Sequence, residues 1–304
     1  MKRRDFLGLT TVAAGTLALN PLTGLAQTTT PPEPVEPVWV PLTKDVKTTR
    51  IGFGTGMRGG NRRSDLVRAG YPKAIEMLRY AYDQGIRLFD CADMYGTHDV
   101  VSQALQGKPR DSYVLVTKCW VLPGALPETE RPLPEVLIDR FLREFGPRTE
   151  YIDVVQIHCM QNNRWTRDQE AVMESLARAK KAGKIRAHGI SSHSNAATEL
   201  AAETDWCDVI HVRINSEGMS MDGSGEAAVA EAVRTTKKAH DAGKGIIAMK
   251  VVGEGRMNDI EMRRKSTKFV MDLGTIDNMI IGFTEMEQIT EFIANVKAAE
   301  RSAS

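Results

Sequence analysis

The chain has 304 residues, of which 42% are hydrophobic and 26% are charged. This composition is enough for a sizeable core and excludes an intrinsically disordered chain. Forty Lys and Arg residues against 39 Asp and Glu residues give a formal net charge of +1, which excludes a general electrostatic attraction to nucleic acid or to an anionic membrane.

The first 26 residues have the pattern of an export signal. A twin-arginine pair, Arg3 and Arg4, precedes an apolar run over residues 7–19, and small residues end the segment. Thr and Gly interrupt the run, and it is too short to cross about 30 Å of hydrocarbon, which argues against an uncleaved anchor. The pattern predicts a twin-arginine (Tat) signal peptide over 1–26, export to the periplasm by the Tat machinery, and no stable membrane anchor after cleavage.

Proline dominates the stretch behind this signal. Four prolines between residues 31 and 37 stiffen the backbone and remove hydrogen-bond donors. We therefore expect a Pro-rich tether over 27–48, followed by a single folded domain over 49–304.

Within that domain, short apolar runs alternate with amphipathic stretches of helical length. The expected strands are residues 50–54, 87–90, 113–118, 152–158, 185–191, 209–212, 245–250 and 278–282. Several of the intervening stretches end in a glycine that suits a left-handed helix cap, as at Gly85, Gly183 and Gly243. Eight such units over about 250 residues predict an α/β fold of the (β/α)8 TIM-barrel class, with a doubly wound sheet as the rival; in a barrel the chemistry lies at the C-terminal ends of the strands.

The four cysteines, Cys91, Cys119, Cys159 and Cys207, contain no Cys-x-x-Cys spacing. The first three directly follow polar residues at predicted strand ends. Neighbouring residues on a strand point to opposite faces, so polar side chains at the barrel mouth would place these thiols outward, under the helices. Buried free thiols are therefore favoured over a disulfide or a metal site.

A glycine motif follows the first predicted strand. Residues 54–59 read Gly-Thr-Gly-Met-Arg-Gly and match G-x-G-x-x-G. In a Rossmann fold the third glycine opens a helix, whereas Gly59 leads into a loop and no helix is expected before about Tyr71. A short-chain dehydrogenase is also excluded, because none of the six tyrosines is followed four residues later by lysine.

The most informative stretch is Phe-Asp-Cys-Ala-Asp-Met-Tyr-Gly over 89–96, with an acid at a strand end and a tyrosine five residues later. The next two predicted strands end in Lys118 and His158. This arrangement resembles the aldo-keto reductase family, whose hallmark here is Phe-Asp-x-Ala-x-x-Tyr-Gly, and the resemblance spans nearly the whole mature chain. It implies that Asp90, Tyr95, Lys118 and His158 are the catalytic residues.

The resemblance also implies a reaction, the reduction of a small aldehyde or ketone substrate to an alcohol. NADP(H) or NAD(H) would supply the hydride and Tyr95 the proton. Because a phenol with a pKa near 10 is a weak acid at neutral pH, we expect the Lys118 ammonium to lower the pKa of Tyr95. Asp90 would keep Lys118 charged, and His158 would donate to the developing alkoxide.

The family's cofactor contacts map onto twelve positions: Gly54, Thr55, Ser191, Ser192, His211, Met249, Lys250, Gly253, Gly255, Gly282, Gln288 and Glu291. Four of them depart from the family pattern. Ser192 replaces an asparagine, His211 a glutamine, Met249 a ring-stacking tyrosine and Lys250 a phosphate-binding serine.

The choice between NADPH and NADH stays open. NADPH-preferring members carry basic residues after the eighth strand, whereas residues 282–288 contain neither lysine nor arginine. Glu285 and Glu287 would repel a 2′-phosphate, although Arg256 or Arg263 would be able to reach it from the preceding loop and helix.

Three further expectations concern substrate and alternative functions. The apolar stretch over 119–127 and Trp165 are candidate walls of a relatively open substrate site. A cofactor-binding sensor on the same fold is a non-catalytic alternative. A metal-dependent barrel hydrolase would instead use four histidines, His158, His188, His193 and His211, but its metal ligands would need a tighter arrangement than this spacing suggests.

Overall fold

A computed structural model describes residues 34–124, 126 and 134–303. The predicted signal peptide over 1–26 lies outside these residues. Among the described residues, no helix is both long and apolar enough to cross a membrane.

The strands are β1 Trp39–Pro41, β2 Lys47–Thr49, β3 Ile51–Gly54, β4 Leu88–Asp90, β5 Val114–Cys119, β6 Ile152–Met160, β7 Ile185–Ser192, β8 Val209–Arg213, β9 Gly245–Met249 and β10 Asn278–Ile281. The helices are α1 Asp65–Arg68, α2 Tyr71–Asp83, α3 His98–Ala104, α4 Pro134–Glu144, α5 Trp165–Asp168, α6 Glu170–Lys181, α7 Asn195–Glu203, α8 Gly225–Asp241, α9 Ile260–Asp272 and α10 Met286–Ala303.

Strands β3 to β10 form a closed barrel in which each strand pairs with the next along the chain and β10 pairs with β3. All eight pairings are parallel. The predicted (β/α)8 fold is therefore confirmed, and the eight predicted strands match the barrel strands to within two residues at each end.

The barrel interior has an apolar lower layer and a polar upper layer. The apolar layer comprises Leu88, Val114, Val116, Val154, Ala187, Val209 and Ile247. Because side chains alternate along a strand, the residues two positions later face the same way. This step leads from Leu88 to Asp90, from Val116 to Lys118 and from Val209 to His211, which places these polar groups at the C-terminal mouth.

An antiparallel hairpin formed by β1 and β2 precedes the barrel. Between its strands, Leu42 and Val46 are buried and pack with the apolar interior layer. The Leu42 carbonyl oxygen would lie 2.2 Å from a Cβ on Gly245, at the start of β9. Over 39–48 the structure thus differs from the predicted tether: this segment closes the N-terminal end of the barrel. Each strand has three residues, and Pro41 lacks an amide donor, so no periodic pattern marks them in the sequence.

All four cysteines are buried free thiols. Cys91 and Cys119 pack in the apolar layer between barrel and helices, as predicted. Cys159 departs from the simple strand alternation, because the register of β6 shifts between Ile157 and Met160 and the Cys159 backbone has φ +67°. This bulge breaks the alternation of side chains and brings the Cys159 thiol to within 3.1 Å of His193 Nδ1.

Candidate active site

A buried ion pair forms the floor of the barrel mouth. Lys118 Nζ donates to Asp90 Oδ1 and, at 3.0 Å, to the Cys91 carbonyl oxygen. Both side chains are at most 3% exposed. Because an isolated charge is costly to bury, each of these two groups depends on the other.

Tyr95 lies above this pair, in a 3₁₀ turn over Asp93–Tyr95 that follows β4. Its hydroxyl is 3.3 Å from His158 Nε2, within hydrogen-bonding distance. Lys118 Nζ is 5.5 Å from the centroid of the Tyr95 ring. The structure therefore brings together the four residues that sequence analysis predicts to be catalytic.

The glycine motif after β3 makes room for the Tyr95 ring. Cβ atoms on Gly56 and Gly59 would both approach ring carbons of Tyr95 to less than 3 Å. Sequence analysis set this motif aside as a failed Rossmann match and did not identify this role. The signal was present in the spacing of the glycines, but only the fold shows what they face.

The pKa of Tyr95 shifts in the direction opposite to the one expected from the sequence. Burial raises the pKa of Tyr95 well above its ordinary value, and the Asp90 charge raises it further. The expected lowering by Lys118 is not found, because the Lys118 charge is already balanced by Asp90 at hydrogen-bonding distance. Tyr95 is therefore fully protonated at neutral pH and holds the proton that a donor must supply.

Asp90 stays ionised in this environment. Burial alone would raise the pKa of its carboxyl group, but Lys118 and His211 outweigh burial and lower it. The Asp90 carboxylate is thus charged at neutral pH and provides the counter-charge for Lys118.

His158 is neutral. Burial, followed by the nearby charge of Lys118, lowers the pKa of its imidazole well below 6.5. Its Nδ1 is buried and has no hydrogen-bond partner among the residues that the structure describes. Trp120, from the apolar stretch predicted to form a wall, packs edge-to-face on the imidazole with ring centroids 5.2 Å apart.

His211 is a further polar group of the mouth. Its side chain is fully buried, and its Nε2 lies 3.2 Å from Asp90 Oδ1. Burial and the Lys118 charge lower the pKa of His211, although Asp90 opposes this. In the strand register His211 is paired with Ser191. The His211 Nδ1 is buried without a partner in the described part of the chain, and such an orphaned polar atom fits a ligand with an amide group, as a nicotinamide has.

Two other predicted cofactor residues at strand ends, Thr55 and Ser192, form hydrogen bonds to the protein backbone. Thr55 Oγ1 donates to the Asp90 carbonyl oxygen at 2.8 Å, and Ser192 Oγ donates to the Ser194 carbonyl oxygen at 2.7 Å. Both hydroxyls thus hold neighbouring loops in place. Gly54 and Gly282 lie side by side, since a Cβ on Gly282 would be 3.3 Å from the Gly54 carbonyl oxygen and 2.3 Å from Cγ of the Met57 side chain.

The loop after β9 carries the predicted phosphate contacts. Met249 is buried, and the following Lys250 is paired with Glu254. Lys250 has φ +66°, and Gly253 and Gly255 have φ of +60° and +79°. The glycines therefore suit a left-handed backbone, while the Lys250 ammonium is already matched by a carboxylate.

Near Gln288 and Glu291, the last of the predicted cofactor contacts along the chain, the basic side chains also have hydrogen-bond acceptors. Arg263 forms a bidentate pair with Glu291 at 2.6 and 2.8 Å, and Lys73 pairs with Glu285 at 2.6 Å. Arg256 Nη2 donates to Ser220 Oγ at 2.5 Å. Gln288 Oε1 accepts from the Thr284 amide at 2.8 Å and so caps the start of α10.

The four histidines proposed for a metal site do not form one cluster. His188 stacks on Trp206 with ring centroids 4.3 Å apart, and His211 faces Asp90. Across the described ranges, no group of three or more His, Cys, Asp or Glu side chains is arranged to hold a metal ion.

Comparisons with known proteins agree with this geometry. Residues 50–272 match the model of the aldo/keto reductase family. The chain is 32% identical over 157 residues to aldo-keto reductase YhdN of Bacillus subtilis, covering 49% of this chain and 45% of that protein. It is 30% identical over 170 residues to the NADH-specific methylglyoxal reductase of Escherichia coli, covering 50% of this chain and 51% of that protein.

These matches extend over about half the length of each curated relative. Among solved structures, an aldo/keto reductase from Klebsiella pneumoniae in complex with NADP and acetate superposes with a TM-score of 0.61. It has 19% identity, over 86% of this chain and 90% of that one, which supports the fold. With the family model matching 50–272 and the predicted quartet assembled at the barrel mouth, the chain belongs to the aldo/keto reductase family.

Proposed function

We propose that this protein reduces an aldehyde or ketone to an alcohol with NADH or NADPH. The observation that carries the proposal is the contact of 3.3 Å between the Tyr95 hydroxyl and His158 Nε2, directly above the buried pair of Lys118 and Asp90. This combination places a proton donor and a neutral hydrogen-bonding imidazole at one point of the mouth.

Each of these residues has a separable task. Tyr95 donates its phenolic proton to the carbonyl oxygen, and His158 orients that oxygen through Nε2. The Lys118 ammonium lies 5.5 Å from the centroid of the Tyr95 ring, where it offsets the Asp90 charge that disfavours a phenolate. Asp90 keeps Lys118 charged and fixed. A nicotinamide held at the mouth would supply the hydride for the carbonyl carbon.

The cofactor is held, in this proposal, by residues of the mouth and of the β9 and β10 loops. His211 and Ser191 would hold the nicotinamide amide, and Lys250 would bind the pyrophosphate. We propose that NADH is preferred to NADPH, because Arg263 is paired with Glu291 and residues 282–288 contain neither lysine nor arginine. The related Escherichia coli enzyme is NADH-specific by name, which supports this preference.

Turnover with a panel of small aldehydes and ketones, followed by loss of NADH or NADPH absorbance, tests the proposal. We expect Tyr95→Phe to lower the turnover number by about 100-fold to 10,000-fold, the range for a general acid. Its affinity for cofactor, measured by fluorescence titration, should stay within about twofold of the wild type, because the ring is kept. Cofactor binding without turnover by the wild type would contradict the reaction and favour a sensor.

We also propose that residues 1–26 direct export by the Tat machinery and that the mature chain acts in the periplasm. The support is the sequence pattern of a twin-arginine pair, an apolar run and a small-residue end. Replacing both arginines by lysine should retain the protein in the cytoplasm of a Tat-competent bacterium. Unchanged delivery of the double variant to the periplasm would contradict this route.

A further inference from the structure

A buried carboxylate lies in the same 3₁₀ turn as Tyr95. Asp93 begins this turn, and its side chain is 1% exposed. The turn has three residues, and a backbone hydrogen bond of 3.0 Å from the Tyr95 amide to the Ala92 carbonyl oxygen closes it. Because so short a 3₁₀ turn is weakly held by its own backbone, the place of Tyr95 depends on contacts with other elements.

Two arginines from different elements meet at Asp93. Arg140 Nη2, from α4, donates to Asp93 Oδ1 at 2.5 Å, and Arg62 Nη2, from the loop after β3, donates to the same oxygen at 3.2 Å. A buried carboxylate would be costly without such partners, and charge-assisted hydrogen bonds fix its orientation. Asp93 therefore ties the turn both to α4 and to the loop after β3.

The backbone of Arg62 also contacts the turn. Its amide donates to the Met94 carbonyl oxygen at 2.9 Å. Its carbonyl oxygen would lie 2.1 Å from a Cβ on Gly96, a residue with φ +67°. The loop after β3 thus packs against the chain on both sides of Tyr95, and the side chain of Asp93 holds that loop and the turn together.

A chain of polar contacts continues from Arg140 to the strand that carries Lys118. Arg140 Nε is 3.4 Å from Glu144 Oε1, and Glu144 Oε2 lies 2.6 Å from His98 Nδ1. His98 Nε2 in turn lies 2.7 Å from Thr117 Oγ1, in β5. Since Thr117 directly precedes Lys118, these contacts connect the turn to the strand on which the buried ammonium lies.

We propose that Asp93 is a positioning residue, which acts through Tyr95 and holds its hydroxyl at the place where a carbonyl oxygen would bind. The contact that it maintains is the one of 3.3 Å between the Tyr95 hydroxyl and His158 Nε2. Arg140 and Arg62 keep the Asp93 carboxylate in place. The effect of Asp93 on turnover rests on the proposed carbonyl reduction, whereas its effect on the place of Tyr95 does not.

Steady-state kinetics of Asp93→Asn test this inference, because the substitution keeps the shape of the side chain and removes its charge. We expect kcat to fall by about 10-fold to 100-fold, since a displacement of up to about 1 Å at a reacting group costs that much. KM for a small aldehyde and the Kd for NADH should stay within about twofold of the wild type, because proton donation is felt in the transition state and not in binding.

Asp153 provides the matched control, since it is also a buried carboxylate between two arginines. Its side chain is 2% exposed, and it accepts from Arg110 Nη2 at 2.6 Å and from Arg186 Nη1 at 3.3 Å. It lies at the start of β6, on the N-terminal face of the barrel, where buried groups serve stability. Asp153→Asn should therefore lower stability without lowering kcat. Equal losses of kcat in the two variants, or no loss in Asp93→Asn, would overturn the proposal.

Substitutions of Arg140 give a second test, which also holds if Asp93→Asn does not fold. Arg140→Met should lower kcat by at least about threefold, the effect of one lost hydrogen bond, and Arg140→Lys should recover most of this loss because it keeps a cation. In the double variant Asp93→Asn/Arg140→Met the losses should not add, because both substitutions break the same contact. Additive losses, or full activity in Arg140→Met, would contradict the positioning through Asp93.

Crystal structures of the wild type and of the two aspartate variants give a readout that does not depend on turnover. In Asp93→Asn, the distance between the Tyr95 hydroxyl and His158 Nε2 should exceed about 3.5 Å, the limit of a hydrogen bond. In Asp153→Asn it should stay near 3.3 Å. An unchanged contact in Asp93→Asn would overturn the positioning role. If the wild type reduces no carbonyl but Asp93→Asn loses the contact, the proposed function fails and the positioning of Tyr95 stands.

Discussion

The ring of Tyr95 lies so close to the backbone of Gly56 that a Cβ on this glycine would be 2.3 Å from ring carbons Cε2 and Cζ. Gly59, three residues later, packs against the other edge of the same ring, since a Cβ on Gly59 would be 2.7 Å from Cδ1 of Tyr95. The motif after β3 therefore fixes the position of the proposed proton donor.

Gly56→Ala should lower kcat/KM by about 100-fold, because the added methyl group must displace the Tyr95 ring and a shift of about 1 Å at a reacting group costs that much. Steady-state kinetics with a small aldehyde measure the effect. Gly60→Ala is the matched control, since a Cβ on Gly60 meets no atom within 4 Å. Similar activities in the two variants would show that the close packing on Tyr95 is unimportant.

Asp90→Asn should destabilise the fold by about 3–5 kcal/mol at neutral pH, because it leaves the Lys118 ammonium buried without a counter-charge. The folded-state pKa of Asp90 is lowered, so its contribution is present above the unfolded value near 3.9 and is lost as the pH falls below that value. Urea unfolding at pH 7 and at about pH 3.5 gives the free energies. The difference between wild type and variant should be smaller at the lower pH.

A surface pair provides the control for that experiment. Lys237 and Asp241 lie one turn apart on α8 and are 62% and 55% exposed, so Asp241→Asn should not change stability measurably. Equal losses from both substitutions would mean that the buried pair contributes nothing specific.

The sequence was sufficient for the barrel because the strands follow from periodicity, whereas the quartet was identified through the resemblance to the aldo-keto reductase family. Strands β4, β5 and β6 are largely apolar runs with a polar residue at or near the C-terminal end, and a period of two carries that residue to the interior face, as from Val116 to Lys118. Since the ends of parallel strands meet at one rim of a closed barrel, Asp90, Lys118 and His158 had to lie near one another.

Other features depend on long-range contacts that no local pattern encodes. The bulge at Cys159 interrupts the alternation within β6, and a strand pattern alone does not show where the register shifts. The pKa of Tyr95 is raised first by burial of the hydroxyl and then by the Asp90 charge, and neither contact can be seen in the sequence. In the same way, the sequence marks Arg263 and Glu291 as charged residues without showing that they pair.

Buried histidines should make stability fall as the pH is lowered from about 6.5. Burial lowers the pKa of His188 to about 4 in the folded state, so between these values the unfolded chain binds more protons than the folded one. One such group changes the free energy of unfolding by up to about 1.4 kcal/mol per pH unit.

His188→Gln should accordingly reduce the slope of unfolding free energy against pH between about 4 and 6.5, even if the loss of the Trp206 stack lowers stability at every pH. Chemical denaturation at four pH values measures the slope. His240, whose side chain is 40% exposed, gives the control His240→Gln. A slope that is the same in His188→Gln and in the wild type would contradict the burial of a neutral imidazole.

In the proposed cofactor site, the bidentate pair between Arg263 and Glu291 disfavours a 2′-phosphate. Glu291→Gln removes the carboxylate that neutralises Arg263, while Nη1 of this arginine still donates to the Met257 and Asn258 carbonyl oxygens, so the uncompensated charge becomes available to a 2′-phosphate. We expect the Kd for NADPH to fall by about threefold to fivefold, the effect of one partly exposed charge, and the Kd for NADH to change little. Glu174→Gln, on α6 with a side chain that is 64% exposed and paired with Arg178, removes one negative charge elsewhere and is the matched control. Fluorescence titrations at low and high salt should show the NADPH gain shrinking as salt screens the charge, and an equal gain for NADH would mean that Arg263 does not face the 2′ position.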